Sequence, residues 1–140
     1  MIGNVNNEGV HTHFGCNICW PSVPDLAWNA RGRLKKSFDL IDESHFHIRI
    51  LNCNNCTQHF ISVFTETIDW IDGEDLQCWT ILPLTEAETA NLILKHNSLT
   101  ETETEINILG VGRRSLRRDH PKAEAPHIFW SYGIGIGPHD

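Results

Sequence analysis

Two Cys-x-x-Cys pairs constrain the fold of this chain more than any other feature. The first pair is Cys16 and Cys19, and the second is Cys53 and Cys56. A turn of two residues lets both sulfurs of a pair face one ion, and its backbone N–H groups can stabilise the thiolate charge. Four thiolates are the ligand set of a closed, tetrahedral zinc site. The spacing therefore predicts one structural Zn2+ ion held by all four cysteines.

Two alternatives to this ligand set stay open. His11 and His13 lie just before Cys16, and either could replace a cysteine at the metal. A single Cys-x-x-Cys pair also has the spacing of a redox-active dithiol. Two such pairs in one chain favour metal.

The fifth cysteine, Cys78, is left over from the predicted site. Its apolar neighbours Leu76, Trp79 and Ile81 predict a small buried side chain rather than a reactive thiol. The first residues show neither the basic nor the apolar region of a signal peptide, and no apolar run approaches the roughly 18 residues of a membrane span. We therefore expect a cytoplasmic protein without a membrane partner, in a compartment that keeps thiols reduced.

Alternation of apolar and polar residues predicts a β-hairpin around the second pair. Phe46, Ile48 and Ile50 alternate with polar residues before Cys53, and the alternation resumes after Cys56. This pattern places both cysteines at the tip of the hairpin. Residues 72–75 form a predicted turn, and residues 76–82 a third antiparallel strand. A short strand is expected at 38–41, within a surface connection.

The segment from residue 85 onward has helical signals. Residues 85–88 match a capping box, which predicts a helix to about residue 95 with Ala87, Ala90, Ile93 and Leu94 as its buried stripe. Residues 97–110 fit either a strand or a short capped helix, and the helix is favoured. Residues 128–132 predict a further strand. The fold class is thus α+β: an antiparallel β-sheet with a zinc site at a hairpin tip, followed by one or two short helices.

At its two cysteine pairs the chain resembles the zinc-ribbon group of small proteins. In that group one Cys-x-x-Cys lies at a hairpin tip, as Cys53 and Cys56 are expected to do, and the other comes from an upstream loop, as Cys16 and Cys19 would. The resemblance covers residues 11–84 of a predicted single domain, 1–140. Residues 85–140 form its helical and basic C-terminal part. Zinc ribbons bind nucleic acids or proteins or serve as structural lobes, so the resemblance implies a metal site and no particular activity.

The sequence does not favour an enzyme, and we predict no catalytic residue. Catalytic zinc keeps an open coordination position, whereas four thiolates close the shell. The sequence contains no Gly-x-Ser-x-Gly, phosphate-binding loop or His-Glu-x-x-His motif. His45 with His47, and His120 beside Asp119, could form acid–base pairs, but surface histidines are the favoured interpretation.

Charge distribution suggests two kinds of partner. The net charge is −7, with acidic residues at 39–43, 66–75 and 86–105. We therefore expect a protein-interaction module, for example an inhibitor or immunity-type protein that neutralises a basic, nuclease-like partner. The alternative is nucleic-acid binding through a basic run followed by aromatic residues. That run contains Arg113, Arg114, Arg117 and Arg118.

Overall fold

A computed structural model describes residues 14–140, so the predictions for His11 and His13 lie outside the described residues. The described chain forms one six-stranded antiparallel sheet and three helices, which confirms the α+β class. None of these helices has both the length and the apolar character to cross a bilayer. The elements, in chain order, are α1 (Pro24–Arg31), β1 (Lys35–Glu43), β2 (Phe46–Asn52), β3 (His59–Thr67), β4 (Leu76–Leu84), α2 (Glu86–Leu94), α3 (Leu99–Ile108), β5 (Arg114–His120) and β6 (His127–Tyr132).

The strands lie in the sheet in the order in which they occur along the chain. Each strand therefore pairs with its neighbour in sequence, and only the β4–β5 connection is long enough to carry α2 and α3. Strand β1 is longer than the predicted segment 38–41 and contains two register shifts. Strand β5 contains three of the four arginines of the basic run. The sheet therefore extends through both predicted parts of the chain, 11–84 and 85–140.

One face of the sheet packs against α2 and α3 and forms the larger apolar core. Alternate residues of β2, β3 and β4 point into it, including Ile48, Ile61 and Leu82, which meet Leu92 of α2 and Ile106 of α3. Ile61 stands opposite Leu82 in the β3–β4 register. Because every second side chain of a strand points to the same face, these residues form one continuous buried surface.

The buried side of α2 differs from the predicted stripe. Thr89 and Leu92 are buried, whereas Ala87, Ala90 and Leu94 are exposed. Thr89 can face the core because its hydroxyl donates a hydrogen bond to the Thr85 carbonyl, 2.9 Å away, so that no polar hydrogen is left unpaired. The predicted capping box at Thr85 is present.

The opposite face packs against α1 and the four clustered cysteines. Leu51, Phe60, Ile81 and Leu116 lie in this second core with Ala27 of α1. No helix was predicted between the two cysteine pairs, but α1 lies there and begins at Pro24. The first turn of a helix does not use its backbone N–H groups, so proline is tolerated there.

A half-buried ion pair joins the start of α2 to the residue before β5. Arg113 donates to both carboxylate oxygens of Glu88, at 2.8 and 3.0 Å, and to the Pro83 carbonyl at 2.9 Å. Partial burial acts to raise the pKa of Glu88, but hydrogen bonds from Arg113 and Thr85 outweigh it and hold the pKa below its ordinary 4.5.

Replacing Glu88 by glutamine should lower the free energy of unfolding by about 1–2 kcal/mol near neutral pH, because Arg113 loses its charged partner. A depressed folded pKa stabilises the protein above the ordinary pKa of 4.5 and stops doing so as the pH falls through the folded value. The difference from the parent protein should therefore shrink in acid. Urea unfolding at several pH values measures it, with Glu86→Gln at the exposed first residue of α2 as the control. An equal loss in both variants would contradict the role of the ion pair.

Candidate metal centre

The two Cys-x-x-Cys pairs meet at one point of the structure. The Sγ atoms are 3.7 Å apart for Cys16 and Cys19, 3.7 Å for Cys19 and Cys56, and 4.0 Å for Cys16 and Cys53. All four lie within 4.8 Å of one another. The predicted ligand set is thus assembled, and the four sulfurs can hold one metal ion between them.

The second pair lies at a hairpin tip, as the sequence predicted. The last pair in the β2–β3 register is Asn52 with His59, so the connection between these strands is only six residues long, 53–58. The Cys53 carbonyl accepts a hydrogen bond from the Thr57 N–H, and the Cys53 N–H donates to the Gln58 carbonyl, both at 2.9 Å. These bonds make a tight loop that turns the two sulfurs toward the first pair.

Hydrogen bonds within the chain also join the loop of the first pair to this hairpin. The Gly15 N–H donates to Gln58 Oε1 at 2.8 Å, and Gln58 Nε2 donates to the Leu84 carbonyl of β4 at 2.6 Å. A Cβ at Gly15 would lie 2.7 Å from the Trp20 Cβ and 3.1 Å from the Cys19 sulfur, so the backbone approaches too closely for any larger residue. The glutamine side chain therefore acts as a brace between the upstream loop and the sheet.

Hydrogen bonds to the sulfurs prepare part of the cluster for thiolate charge. The Asn55 backbone N–H lies 3.3 Å from the Cys53 sulfur, and the Asn55 side-chain amide lies 3.5 Å from the Cys16 sulfur. A hydrogen bond from the Cys19 backbone, supported by Asn55, lowers the pKa of Cys16 to about 6. Burial raises the pKa of Cys19 and of Cys56 instead. A cation is what would let these two thiols, one buried and one half-buried, ionise.

Aromatic side chains shield the cluster from solvent. Cys19 and Cys53 are only 3% and 4% exposed. The Trp20 ring lies 5.2 Å from Phe60 and 5.0 Å from Trp130, measured between ring centroids. Cys16 and Cys56 are half-buried, so the aromatic rings cover the cluster in part. A partly covered cluster of four sulfurs suits a site that holds structure together.

Cys78, the fifth cysteine, lies on β4 and is not part of the cluster. It stands opposite Thr65 on one side and Asp119 on the other. Burial, and secondarily the Asp119 charge, raise the pKa of this thiol, which disfavours the reactive thiolate form.

The four arginines predicted as a nucleic-acid site do not form one surface. Residues alternate between the faces of β5, so Arg114 and Arg118 share one face and Arg117 lies on the other. Arg113 is paired with Glu88, and Arg117 Nη2 lies 3.1 Å from Asp119 Oδ1. Arg114 and Arg118 instead lie over the indole rings of tryptophans.

His45 and His47, which were considered as an acid–base pair, each contact a different partner. His45 Nδ1 lies 3.1 Å from Glu66 Oε1, and His47 packs against Phe64.

Gln58 and Asn55 support the cysteine cluster but were not predicted as site residues. The available signal was two amide side chains, one between Cys53 and Cys56 and one just after this pair.

The comparisons with known proteins give no match for this chain among protein-family models, curated proteins or solved structures. The ligand set and the surfaces of the chain are therefore the basis for assigning a function.

Proposed function

We propose that this chain is a non-catalytic protein-interaction module built around a structural Zn2+ ion. The support for zinc is geometric. Four sulfurs at about 2.3 Å from a tetrahedral zinc ion are about 3.8 Å from each other. Three of the six separations in this structure are 3.7, 3.7 and 4.0 Å, and all six are within 4.8 Å. A disulfide would need about 2 Å, so the cysteines fit a shared ion much better than a covalent pair. Four thiolates complete the zinc shell, which leaves the ion without a site for substrate.

The proposed role of the metal is to hold the segment that leads into α1 against the sheet. Cys16 and Cys19 precede α1 directly, whereas Cys53 and Cys56 belong to the β2–β3 hairpin. One ion bound by both pairs therefore connects two segments that are far apart in sequence. It also closes one end of the second core, which contains Cys19 and Cys53.

The proposed contact surface is the loop between β3 and β4, residues 68–75. Its tip carries two large apolar side chains, Trp70 and Ile71, which are 86% and 92% exposed. Adjacent exposed side chains of this size are uncommon unless they have a partner. Tryptophan is also among the residues that most often dominate the binding energy of a protein interface. This pair of side chains is the observation that carries the proposal.

The backbone of the 68–75 loop is ordered by one carboxylate. Asp69 accepts hydrogen bonds from the N–H groups of Ile71, Asp72 and Glu74, at 3.1, 3.0 and 3.4 Å. The Asp72 N–H and the Lys122 ammonium, 2.9 Å away, hold the pKa of Asp69 well below its usual range. A loop that is ordered before binding loses less conformational entropy in the complex.

The charge around the loop indicates the chemistry of the partner. Asp72 and Glu74 are exposed beside Trp70 and Ile71, and Lys122 Nζ, 3.7 Å from Asp72 Oδ2, offsets only part of their charge. A complementary surface would present an apolar pocket with a basic rim. This agrees with the hypothesis of an inhibitor or immunity-type protein that neutralises a basic, nuclease-like partner.

The double substitution Trp70→Ala and Ile71→Ala should abolish binding of this partner without unfolding the chain. Loss of an aromatic anchor typically costs about 2 kcal/mol or more, which corresponds to about 30-fold in Kd. The experiment is capture of basic proteins from the native lysate on the purified chain, followed by titration with the captured protein.

The matched control for this experiment is Tyr132→Ala, which removes another exposed aromatic ring, 72% accessible and outside the loop. Unchanged metal content in all variants shows that the fold is intact. Retention of the partner by the double variant, or equal loss in Tyr132→Ala, would contradict the proposed surface.

Nucleic-acid binding by Arg113, Arg114, Arg117 and Arg118 remains the alternative proposal. It has less support because two of the four guanidinium groups are already paired with carboxylates. Affinity for a duplex or single strand that falls steeply with salt and is lost when all four are replaced would favour it.

A further inference from the structure

Two arginines from distant parts of the chain share one tryptophan. Arg31 is the last residue of α1, and Arg118 lies in β5. The Arg31 Cζ atom lies 4.1 Å from the centroid of the Trp28 ring, and the Arg118 Cζ atom lies 5.1 Å from it. Arg118 is also 5.0 Å from the Trp79 ring. Two positive groups are thus held together by aromatic surface.

These two charges have no carboxylate partner among residues 14–140. Neither arginine takes part in an ion pair there, and the Arg31 Nε atom is buried with no hydrogen-bond partner in the same part of the chain. Burial lowers the pKa of Arg31, and the nearby Arg118 charge lowers it further. Bringing two like charges together and partly desolvating them costs free energy that an anion would recover.

A cavity of about 280 Å3 opens beside Arg31. Its wall combines cations, hydrogen-bonding groups and aromatic rings: Arg31, Arg49, His47, Ser62, Phe64 and Trp79. The Phe64 and Trp79 rings are in contact, with centroids 4.6 Å apart.

One of the cavity's cations is already neutralised. Arg49 Nε lies 3.1 Å from Asp39 Oδ1, and Arg49 Nη2 lies 3.7 Å from Asp42 Oδ1. The charge available to a ligand therefore comes mainly from Arg31, with Arg118 behind the Trp79 wall.

We infer that this cavity binds a small phosphorylated ligand with a planar ring, of the nucleoside monophosphate class. Guanidinium groups bind phosphate through charge-assisted hydrogen bonds, and Arg31, which lines the cavity without an ion-pair partner among the described residues, would supply them. Arg118 lies outside the lining and would add only the attraction of a nearby positive charge. Phe64 and Trp79 offer an apolar aromatic wall for the planar part, with the Ser62 hydroxyl beside it.

A small ligand suits the charge balance of the chain better than a polymer does. The net charge of −7 repels a long polyanion, whereas a single phosphate meets only the local pair of arginines. The site shares no residue with the 68–75 loop or with the cysteine cluster, so its test is independent of the proposed protein partner.

Isothermal titration of the metal-loaded chain with adenosine monophosphate tests the site directly. The parent protein should bind, and the nucleotide should raise its thermal midpoint. Arg31→Gln should weaken binding roughly tenfold to a hundredfold, because it removes a charged hydrogen-bond donor from the cavity. Arg118→Gln should weaken binding less, because it removes only a nearby positive charge. Adenosine, which lacks the phosphate, should bind much more weakly.

The matched control is Arg114→Gln, on the same strand and face as Arg118 but over Trp130, at 3.9 Å. It should leave binding unchanged. Without nucleotide, the thermal midpoint of Arg31→Gln should equal or exceed that of the parent protein, because the substitution removes one of two neighbouring positive charges. Loss of nucleotide binding in this variant could then not be explained by unfolding.

Four results would overturn the inference. They are no heat and no midpoint shift with adenosine monophosphate, equal weakening in Arg114→Gln, equal affinity for inorganic phosphate and the nucleotide, and binding only of a single-stranded oligonucleotide. Equal affinity for inorganic phosphate would show that the planar ring does not contribute to binding. Binding only of an oligonucleotide would show that the ligand is a polymer and not a small molecule.

Discussion

Replacing Cys53 by serine is expected to abolish metal binding and to unfold most of the chain. Cys53 is buried at the hairpin tip, and its sulfur lies 4.0 Å from that of Cys16. Binding of structural zinc contributes on the order of 10 kcal/mol to folding, comparable with the whole stability of a typical domain, about 5–15 kcal/mol. Loss of one thiolate would also leave the buried Cys19 and the half-buried Cys56 without a shared ion.

Elemental analysis together with circular dichroism measures this effect. The parent protein should contain one zinc per chain, and the Cys53→Ser variant none. Cys78→Ser is the matched control, because Cys78 is the remaining cysteine and lies outside the cluster. That variant should keep both metal and fold. A folded, metal-free parent protein, or metal loss in both variants alike, would contradict a structural zinc site.

Replacing Gly110 by alanine is expected to lower the free energy of unfolding by about 3 kcal/mol, as the sum of two costs. Gly110 has φ +72°, which costs alanine about 1–2 kcal/mol. Its Cβ would also overlap Cδ2 of Leu82, a fully buried residue of the larger core. Overpacking of this kind typically costs about 1–3 kcal/mol.

Gly112 provides the control that separates the two costs. It has φ +79°, and a Cβ added there would meet no atom within 4 Å. Gly112→Ala should therefore cost only the conformational part, about 1–2 kcal/mol. Urea unfolding of the three proteins at fixed metal occupancy gives both values. Equal destabilisation by the two substitutions would show that Leu82 moves aside without cost.

Local patterns in the sequence predicted the elements that depend on neighbouring residues. The alternation around Phe46, Ile48 and Ile50 predicted β2, and the capping residues Thr85 and Glu88 predicted the start of α2. Hydrophobic period and capping act within a few residues, so they can be recognised without knowledge of the fold.

The buried side of α2 and the first helix were not predictable in this way. The buried residues of α2 are Thr89 and Leu92, and α1 begins at Pro24, in a segment for which no helix was predicted. The buried side of α2 and the formation of α1 both depend on the sheet surface against which each helix packs, because a short helix gains most of its stability from packing.

The sequence by itself identified the four cysteines that cluster and could share one metal ion, since their spacing places the two sulfurs of each pair on one short turn. Only the tertiary structure decided which charges lie together. Arg114, Arg117 and Arg118 of β5 are divided between two faces because a strand alternates its side chains. Arg31 and Arg118, 87 positions apart, meet over Trp28 because α1 packs across β5. Contacts between distant segments follow from the packing of elements, and no local pattern in the chain encodes them.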